Sequence, residues 1–224
     1  MTTETAASRK RVFLVDDHPL VREWLTNLIN QQPGLVVCGE AESGPEAREK
    51  IVALRPDVAI VDIALKDSSG IELIKDLKHS CPEVAVLVLS MHEESHYAER
   101  ALRAGARGYI MKRETTRKVV DAIGHVLAGK LCVSEAIAAA MAAQFVGGKT
   151  LATGSPVEQL SDRELEVFEL LGQGRTTRQI AETLRVSLKT VQAYCARIKE
   201  KLNLGSATEL LREAVRWHES THKG

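Results

Sequence analysis

Val58-Ala59-Ile60-Val61-Asp62 is a short, wholly apolar run that ends on a carboxylate. Three more runs share its form. Val12-Phe13-Leu14-Val15 leads to Asp16-Asp17, Val84-Ala85-Val86-Leu87-Val88-Leu89 leads to Ser90, and Gly108-Tyr109-Ile110-Met111 leads to Lys112. Brief β-branched and aliphatic runs separated by helix-length segments predict parallel strands buried on both faces. A fifth run, Leu35-Val36-Val37-Cys38-Gly39, follows a Pro33-Gly34 turn. Expected strands are 11–16, 35–40, 57–61, 84–89 and 107–111, with helices near 19–31, 45–54, 69–79, 94–104 and 114–127. This βαβ repetition predicts an α/β domain over residues 10–127, a doubly wound five-stranded parallel sheet with right-handed crossovers. In such a sheet the carboxyl ends of the strands form the ligand crevice. Asp16, Asp17, Asp62, Ser90 and Lys112 are therefore expected on one edge.

Composition bounds the rest. The chain has 224 residues, 44% of them hydrophobic and 27% charged, with zero formal net charge. That is enough apolar material for a core, and nothing in the overall charge points to a polyanion. No apolar stretch approaches the roughly 18 residues of a membrane span. Met1 to Lys10 is polar with no hydrophobic signal region, so export is not expected and a cytoplasmic location is. Cys38, Cys81, Cys132 and Cys195 make no closely spaced metal-binding pair and are expected as reduced thiols.

After residue 127 the texture changes. Ser134 is placed to cap a helix running to about Phe145, within a linker spanning 128–157. Gly147-Gly148-Lys149-Thr150 through Gly154-Ser155-Pro156 is rich in breakers and reads as its flexible part. From 158 to 222 only helices are expected, near 162–172, 177–184, 188–202 and 207–217. Ser161-Asp162-Arg163-Glu164 and Ser206-Ala207-Thr208-Glu209 match capping boxes, and Thr176 and Ser187 are further N-cap candidates. A four-helix, all-α domain thus follows the α/β domain.

Converging carboxylates repel one another and suit a hard divalent cation, for which two carboxylates and a backbone carbonyl suffice alongside water. A lysine opposite them balances charge or holds an anion. Such parts fit phosphoryl transfer, in which positioning and charge neutralisation do most of the catalysis. A carboxylate can itself be the nucleophile, and Asp62 on the central strand is the best placed. Asp16 or Asp17 alone would equally serve to cap the helix starting near Pro19.

The motifs Val15-Asp16-Asp17-His18-Pro19, Val61-Asp62-Ile63-Ala64-Leu65 with Gly70 eight residues on, Leu89-Ser90-Met91 and Ala104-Gly105 through Lys112 together resemble the receiver domain of two-component response regulators, a flavodoxin-like fold. The resemblance implies that Asp62 accepts phosphate from a histidine kinase. It implies Mg²⁺ held by Asp16, Asp17, Asp62 and the backbone carbonyl of Ala64. It also implies that Ser90 and Lys112 contact the phosphoryl group while Tyr109 turns inward. Ala64 and His92 occupy positions that tune hydrolysis in that family. Two departures stand out. Leu65-Lys66 replaces a common Met-Pro, and Arg113 follows Lys112 where a cis proline is common. A cis non-proline bond costs roughly 3–4 kcal/mol, so either the site carries that strain or the bond is trans.

In the helical part, Ile180-Ala181-Glu182-Thr183-Leu184, a turn at Arg185-Val186-Ser187 and a helix from Leu188 to Leu202 make the helix-turn-helix geometry that fits a DNA major groove. Leu188, Val191, Cys195, Ile198 and Leu202 form the expected inward stripe. Lys189, Gln192, Ala193, Ala196, Arg197 and Lys199 lie opposite. From Arg185 to Lys201 five basic residues face only Glu200, so this neutral protein carries a local excess suited to phosphate contacts. Leu160-Ser161-Asp162-Arg163-Glu164, Gly172-Gln173-Gly174, Gln179-Ile180-Ala181 and Val186 to Val191 resemble the LuxR-type helix-turn-helix. The whole chain then resembles a NarL/FixJ-type response regulator. That resemblance implies double-stranded DNA read by Gln192, Ala193 and Ala196 and gripped by Lys189, Thr190, Arg197 and Lys201. It further implies a homodimer in the active state, with RNA polymerase as a partner. Gln192 and Tyr194 stand where relatives often carry Lys or Arg and His. Tyr194 is either a packing residue or a phosphate contact. Leu210, Leu211, Ala214 and Trp217 are expected on one side of the last helix, toward the core or toward a second subunit. A phosphatase with an aspartate nucleophile would usually need a second acid at position 64, where the chain has alanine, so a regulator rather than an enzyme is expected.

Overall fold

The computed structural model describes residues 9–65, 68–92, 94–146 and 156–221. The expected linker stretch 147–155 and the Lys66 departure lie outside them. By their internal contacts the residues form two compact units, Met1–Ala143 and Gln144–Gly224.

The first unit alternates strand and helix. Its elements are β1 (Lys10–Val15), α1 (Pro19–Asn30), β2 (Leu35–Ala41), α2 (Gly44–Leu54), β3 (Val58–Val61), β4 (Ala64–Leu65), β5 (Ser68–Ser69), α3 (Gly70–Ser80), β6 (Ala85–Ser90), α4 (Glu94–Ala104), β7 (Gly108–Met111), α5 (Thr116–Leu127) and the greater part of α6 (Glu135–Val146), whose end runs past Ala143. Five strands pair in parallel in the order β2-β1-β3-β6-β7. The chain winds first one way from β1 and then the other, so the crevice opens between β1 and β3. Every residue of β3, β6 and β7 is buried, as their unbroken apolar runs require.

Alternation along each strand sends successive side chains to opposite faces. On one face Val12, Leu14, Val58, Ile60, Leu87 and Leu89 pack with Leu25 and Ile29 of α1 and with Val119, Ile123 and Val126 of α5. The helices α2, α3 and α4 pack side by side through α2–α3 and α3–α4 contacts and bury Ile51, Ile74, Leu77 and Tyr97. The helix expected from 114 begins at Thr116, because the Thr115 hydroxyl accepts the Lys118 amide and caps it.

Two features have no counterpart in the sequence reading. Ala64–Leu65 and Ser68–Ser69 pair antiparallel just after Asp62. Beyond α5 the chain returns to the sheet edge, where Cys132 bridges Gly108: the Tyr109 amide donates to the Cys132 carbonyl at 2.8 Å and the Cys132 amide to Arg107 at 2.9 Å. Ser134 then caps α6 through the Ile137 amide, while its own amide donates to Glu94 Oε1 at 2.8 Å. Among the described residues no peptide bond is cis, so Lys112-Arg113 is trans. All four cysteines are free, and no described helix is long and apolar enough to cross a membrane.

The second unit holds a 3₁₀ turn (Pro156–Gln159), α7 (Asp162–Gly172), α8 (Thr177–Thr183), α9 (Leu188–Lys201) and α10 (Ala207–Thr221). Ser161 with Glu164 and Thr176 with Gln179 form complete capping boxes. The Ser206 hydroxyl caps α10, but Glu209 returns its bond to the Gly205 amide instead. The helices α7 and α10 approach so closely that a Cβ on Gly172 would meet the Ala214 carbonyl at 2.6 Å, and Phe168 tilts against Trp217 with ring centres 5.7 Å apart. One inward assignment is corrected: Leu188, the first residue of α9 after the Ser187 cap, is 45% exposed. On α10 Leu210 and Ala214 are buried, whereas Leu211 is 44% exposed and is not part of the core.

Candidate functional site: an acidic crevice and a basic helix face

The parallel ladder continues one residue beyond the strands and so places the acids. The Asp16 amide donates to the Ala41 carbonyl at 3.2 Å and the Asp62 amide to Val15 at 2.9 Å. These bonds set Asp16 and Asp62 side by side at the mouth between β1 and β3. On the other flank the Lys112 amide donates to the Ser90 carbonyl at 2.8 Å. Asp16, Asp17, Asp62 and Ser90 are all buried.

The Lys112 ammonium spans the crevice. Its Nζ lies 2.6 Å from Asp16 Oδ2 and 2.6 Å from Asp62 Oδ2, and its side chain is only 9% exposed. Burial works against that ammonium, yet the Asp62 and Asp16 carboxylates outweigh it and hold the lysine above its ordinary pKa. Asp62 is pushed upward, chiefly by burial, with Lys112 opposing and Asp16 adding to the push. Desolvated acids outnumbering one lysine leave a net negative pocket.

His18 closes the crevice from the solvent side. Its Nδ1 stands 2.8 Å from Asp17 Oδ1 and 3.2 Å from Asp16 Oδ1. One ligand atom each from Asp16, Asp17, His18 and Asp62 falls within a 4.8 Å cluster. Buried oxygens so grouped fit a divalent cation. Ala64, whose carbonyl was expected to join them, begins β4 beside the crevice, and its amide approaches Asp62 Oδ1 at 3.4 Å. Gly70 sits directly beneath: a Cβ there would fall 2.0 Å from the Asp62 carbonyl oxygen.

Behind the acids, the Ser90 hydroxyl accepts the His92 amide at 3.2 Å. Tyr109 is turned inward and donates its hydroxyl to the His92 carbonyl at 2.8 Å. The His92 ring tilts against Tyr97 with centres 4.6 Å apart. Sequence reasoning named His92 but not Tyr97, nor Arg22, whose guanidinium donates to the Asp16 carbonyl at 2.6 Å. Tyr97 was discoverable as the aromatic start of the Tyr97, Ala98, Ala101 apolar stripe of α4. Arg22 carried no such signal.

In the second unit, α8 and α9 meet across a turn at Arg185, whose left-handed φ of 53° lets the Val186 amide return to the Ala181 carbonyl at 3.0 Å. Ser187 caps α9 through the Thr190 amide at 3.1 Å. Val191 and Ile198 face inward and Tyr194 is half-buried, whereas Lys189, Gln192, Ala193, Ala196 and Arg197 are exposed. Thr190 is half-buried, its hydroxyl bonded to Ser187 at 2.8 Å. The Lys201 ammonium is held at 2.6 Å by Glu164, a member of the α7 capping box, and at 3.2 Å by the Gln159 carbonyl.

A doubly wound sheet with an acid–lysine crevice, followed by a helix-turn-helix unit, defines a regulator that couples a phosphoacceptor domain to a DNA-binding domain. Family profiles agree: residues 12–124 match the response regulator receiver domain and residues 158–214 match the bacterial regulatory proteins of the luxR family. The DNA-binding transcriptional activator DevR/DosR of Mycobacterium tuberculosis is 37% identical over 89% of this chain and 91% of its own length. The response regulator GacA of Pseudomonas viridiflava is 36% identical over 92% and 95%. Among solved structures, a LuxR-family two-component response regulator from Aurantimonas is 36% identical, with a TM-score of 0.57 over 62% of this chain and 99% of that one. RcsB of Salmonella typhimurium aligns over 92% of this chain and 98% of its own, at 25% identity and a TM-score of 0.55. The chain belongs to the LuxR-type response regulators, a family of phosphorylation-switched, DNA-binding transcriptional regulators and not of enzymes.

Proposed function

We propose that Asp62 is the phosphoacceptor of a cytoplasmic switch driven by a sensor histidine kinase. A carboxylate oxygen of Asp62 attacks the phosphorus of the kinase's phosphohistidine; the bond to the histidine nitrogen breaks, and an acyl phosphate forms on Asp62. Asp16, Asp17, Asp62 and the Ala64 carbonyl are the ligands for Mg²⁺, which when bound neutralises charge on the transferred group. The observation that carries this reading is the Lys112 ammonium, already within 2.6 Å of an Asp62 oxygen and placed to pair with a phosphoryl oxygen. Ser90 supplies a hydroxyl to the same group, and Tyr109 reads the change through the Ser90–His92 loop. Ala64 leaves an open approach for hydrolytic water, and His92 adjusts it.

The output is DNA binding by a homodimer that sets one α9 in each of two half-sites and works with RNA polymerase. Gln192, Ala193 and Ala196 face the base edges, where glutamine can pair bidentately with adenine. Lys189, Thr190, Arg197 and Lys201 grip phosphates, with Lys201 the least available because Glu164 already holds it. The similarity to a DNA-binding transcriptional activator supports this reading.

Beryllofluoride with Mg²⁺ tests the switch on the full chain. The wild type should dimerise and bind its selected DNA more tightly with the mimic, and Asp62→Asn should respond to neither. Equal DNA affinity in all four conditions would instead make the receiver a passive module on a phosphorylation-independent DNA binder.

A further inference from the structure

We infer that Arg22 is a positioning residue for the acidic crevice: from behind, its guanidinium fixes the peptide that joins Asp16 to Asp17 and so sets how tightly the two acids hold Mg²⁺. The inference rests on reading the crevice as the Mg²⁺ site and adds a residue that acts on it through the backbone.

The sheet leaves one bond unmade where the acids begin. β1 ends at Val15, and the Asp16 amide still donates to the Ala41 carbonyl at 3.2 Å. β2 stops at that same Ala41, and among the described residues no backbone amide donates to the Asp16 carbonyl. Arg22 supplies the missing donor, its Nη1 2.6 Å from that oxygen. Because a peptide is planar, holding the Asp16 carbonyl also holds the Asp17 amide in the same plane. One guanidinium thus orients the backbone from which both carboxylates project. Asp62 is set independently, by the bond from its own amide to Val15.

The other surroundings of Arg22 do not account for its place. Its side chain is 13% exposed, and Nε stands 3.6 Å from Glu40 Oε1, beyond hydrogen-bond range. That Nε is buried with no hydrogen-bond partner. A buried donor left unsatisfied costs stability, and a guanidinium sheds water to lie here. The hydrogen bond its side chain does make runs to the acid loop. The helix delivers it there: Arg22 lies in the first turn of α1, where side chains lean back toward the helix start and hence toward the acids.

Position and charge act in opposite directions, which makes the role separable. The guanidinium is always charged and stands behind a pocket that is net negative, so by Coulomb's law alone its removal should tighten the hold on a cation. As an anchor, its removal should loosen the acid pair and weaken that hold. The sign of the change in Mg²⁺ affinity decides between them.

Calorimetric titration of the full-length protein with Mg²⁺, and amide hydrogen exchange of the metal-free protein, test this on Arg22→Met and Arg22→Lys. Arg22→Met should weaken Mg²⁺ binding about tenfold, the usual scale for losing a group that supports metal ligands. Labelling by acetyl phosphate should then need about tenfold more Mg²⁺ to reach half its maximal rate, while the maximal rate stays within a factor of about two. Without metal, the His18 amide, which donates to Asp16 Oδ1 at 2.9 Å, should exchange faster than in wild type while the amides of β3 keep their rates. Arg22→Lys keeps the charge without the planar fork and should fall between wild type and Arg22→Met; it carries the test if Arg22→Met does not fold. Mg²⁺ affinity equal to or above wild type in either folded variant would overturn the inference. So would a wild-type exchange rate at His18, or β3 amides that quicken in step with it, which would reduce Arg22 to a general support of the fold. Wild type that itself takes up no Mg²⁺ would instead sink the crevice as a metal site, and His18 exchange would still decide whether Arg22 fixes the loop.

Discussion

A methyl group at position 70 has nowhere to go. Its Cβ would sit 2.0 Å from the carbonyl oxygen of Asp62, and that oxygen belongs to backbone that cannot swing aside like a side-chain tip. Gly70 also donates its amide to the Ile63 carbonyl at 2.8 Å, so the start of α3 is tied to the loop that presents Asp62. Gly70→Ala is expected to destabilise the protein by roughly 1–3 kcal/mol through overpacking. Urea unfolding measures it; a wild-type midpoint would mean that the loop yields freely. The acids themselves were readable from sequence because each closes an apolar run that has only one way to lie in a parallel sheet. Arg22 and Tyr97 were not. Arg22 reaches a backbone carbonyl six residues back, and Tyr97 meets His92 only after α4 has packed, and neither contact leaves a spacing that marks it beforehand.

The helices of the second unit are pinned to one another by a pair that spacing does not disclose. Glu164 completes the capping box at the start of α7 and also receives the ammonium of Lys201 from the end of α9. Burial alone would raise this carboxyl, but bonds from Lys201 and Ser161 hold it below an ordinary glutamate. A carboxyl lowered on folding stabilises the native state fully above its unfolded pKa, about 4.3, and stops doing so as pH falls through the lower folded value. Wild type should therefore melt above Glu164→Gln near pH 7, and the gap should close as the pH is taken well below 4. A gap unchanged across that range would show that charge is not what joins α7 to α9. The resemblance to the LuxR-type helix-turn-helix marked Lys201 for a phosphate contact, and nothing in the sequence signals its bond to Glu164. Its use by Glu164 depends on how α7 crosses α9, which no local pattern encodes. Leu188 misled in another way: helical periodicity places it on the inward stripe, but as the first residue after the Ser187 cap it stays 45% exposed. The two-residue pair of β4 and β5 is too short to leave any alternation at all.

Across the molecule, charge is neutral in sum and uneven in place, with acids gathered at the sheet edge and bases along α9. The five sheet strands, the helices and the division into an α/β part and an all-α part were recoverable because five buried runs and four capped helices are strong signals; the strand order came only with the structure. The return of the chain to β7 was not recoverable, since Leu131-Cys132-Val133 is a brief run with no alternation to mark it. That return has a kinetic signature. As the last strand of the parallel sheet, β7 would leave the outward amide of Tyr109 open to solvent exchange, but the Cys132 carbonyl closes it. Deuterium should therefore enter Tyr109 and Cys132 at one common rate, set by a single opening event that frees the root of α6 from the sheet. If Tyr109 exchanged while Cys132 stayed protected, the two would belong to separate openings. A shared rate would make the amide of Tyr109 a clock for the release of the chain that leads to the DNA-binding unit.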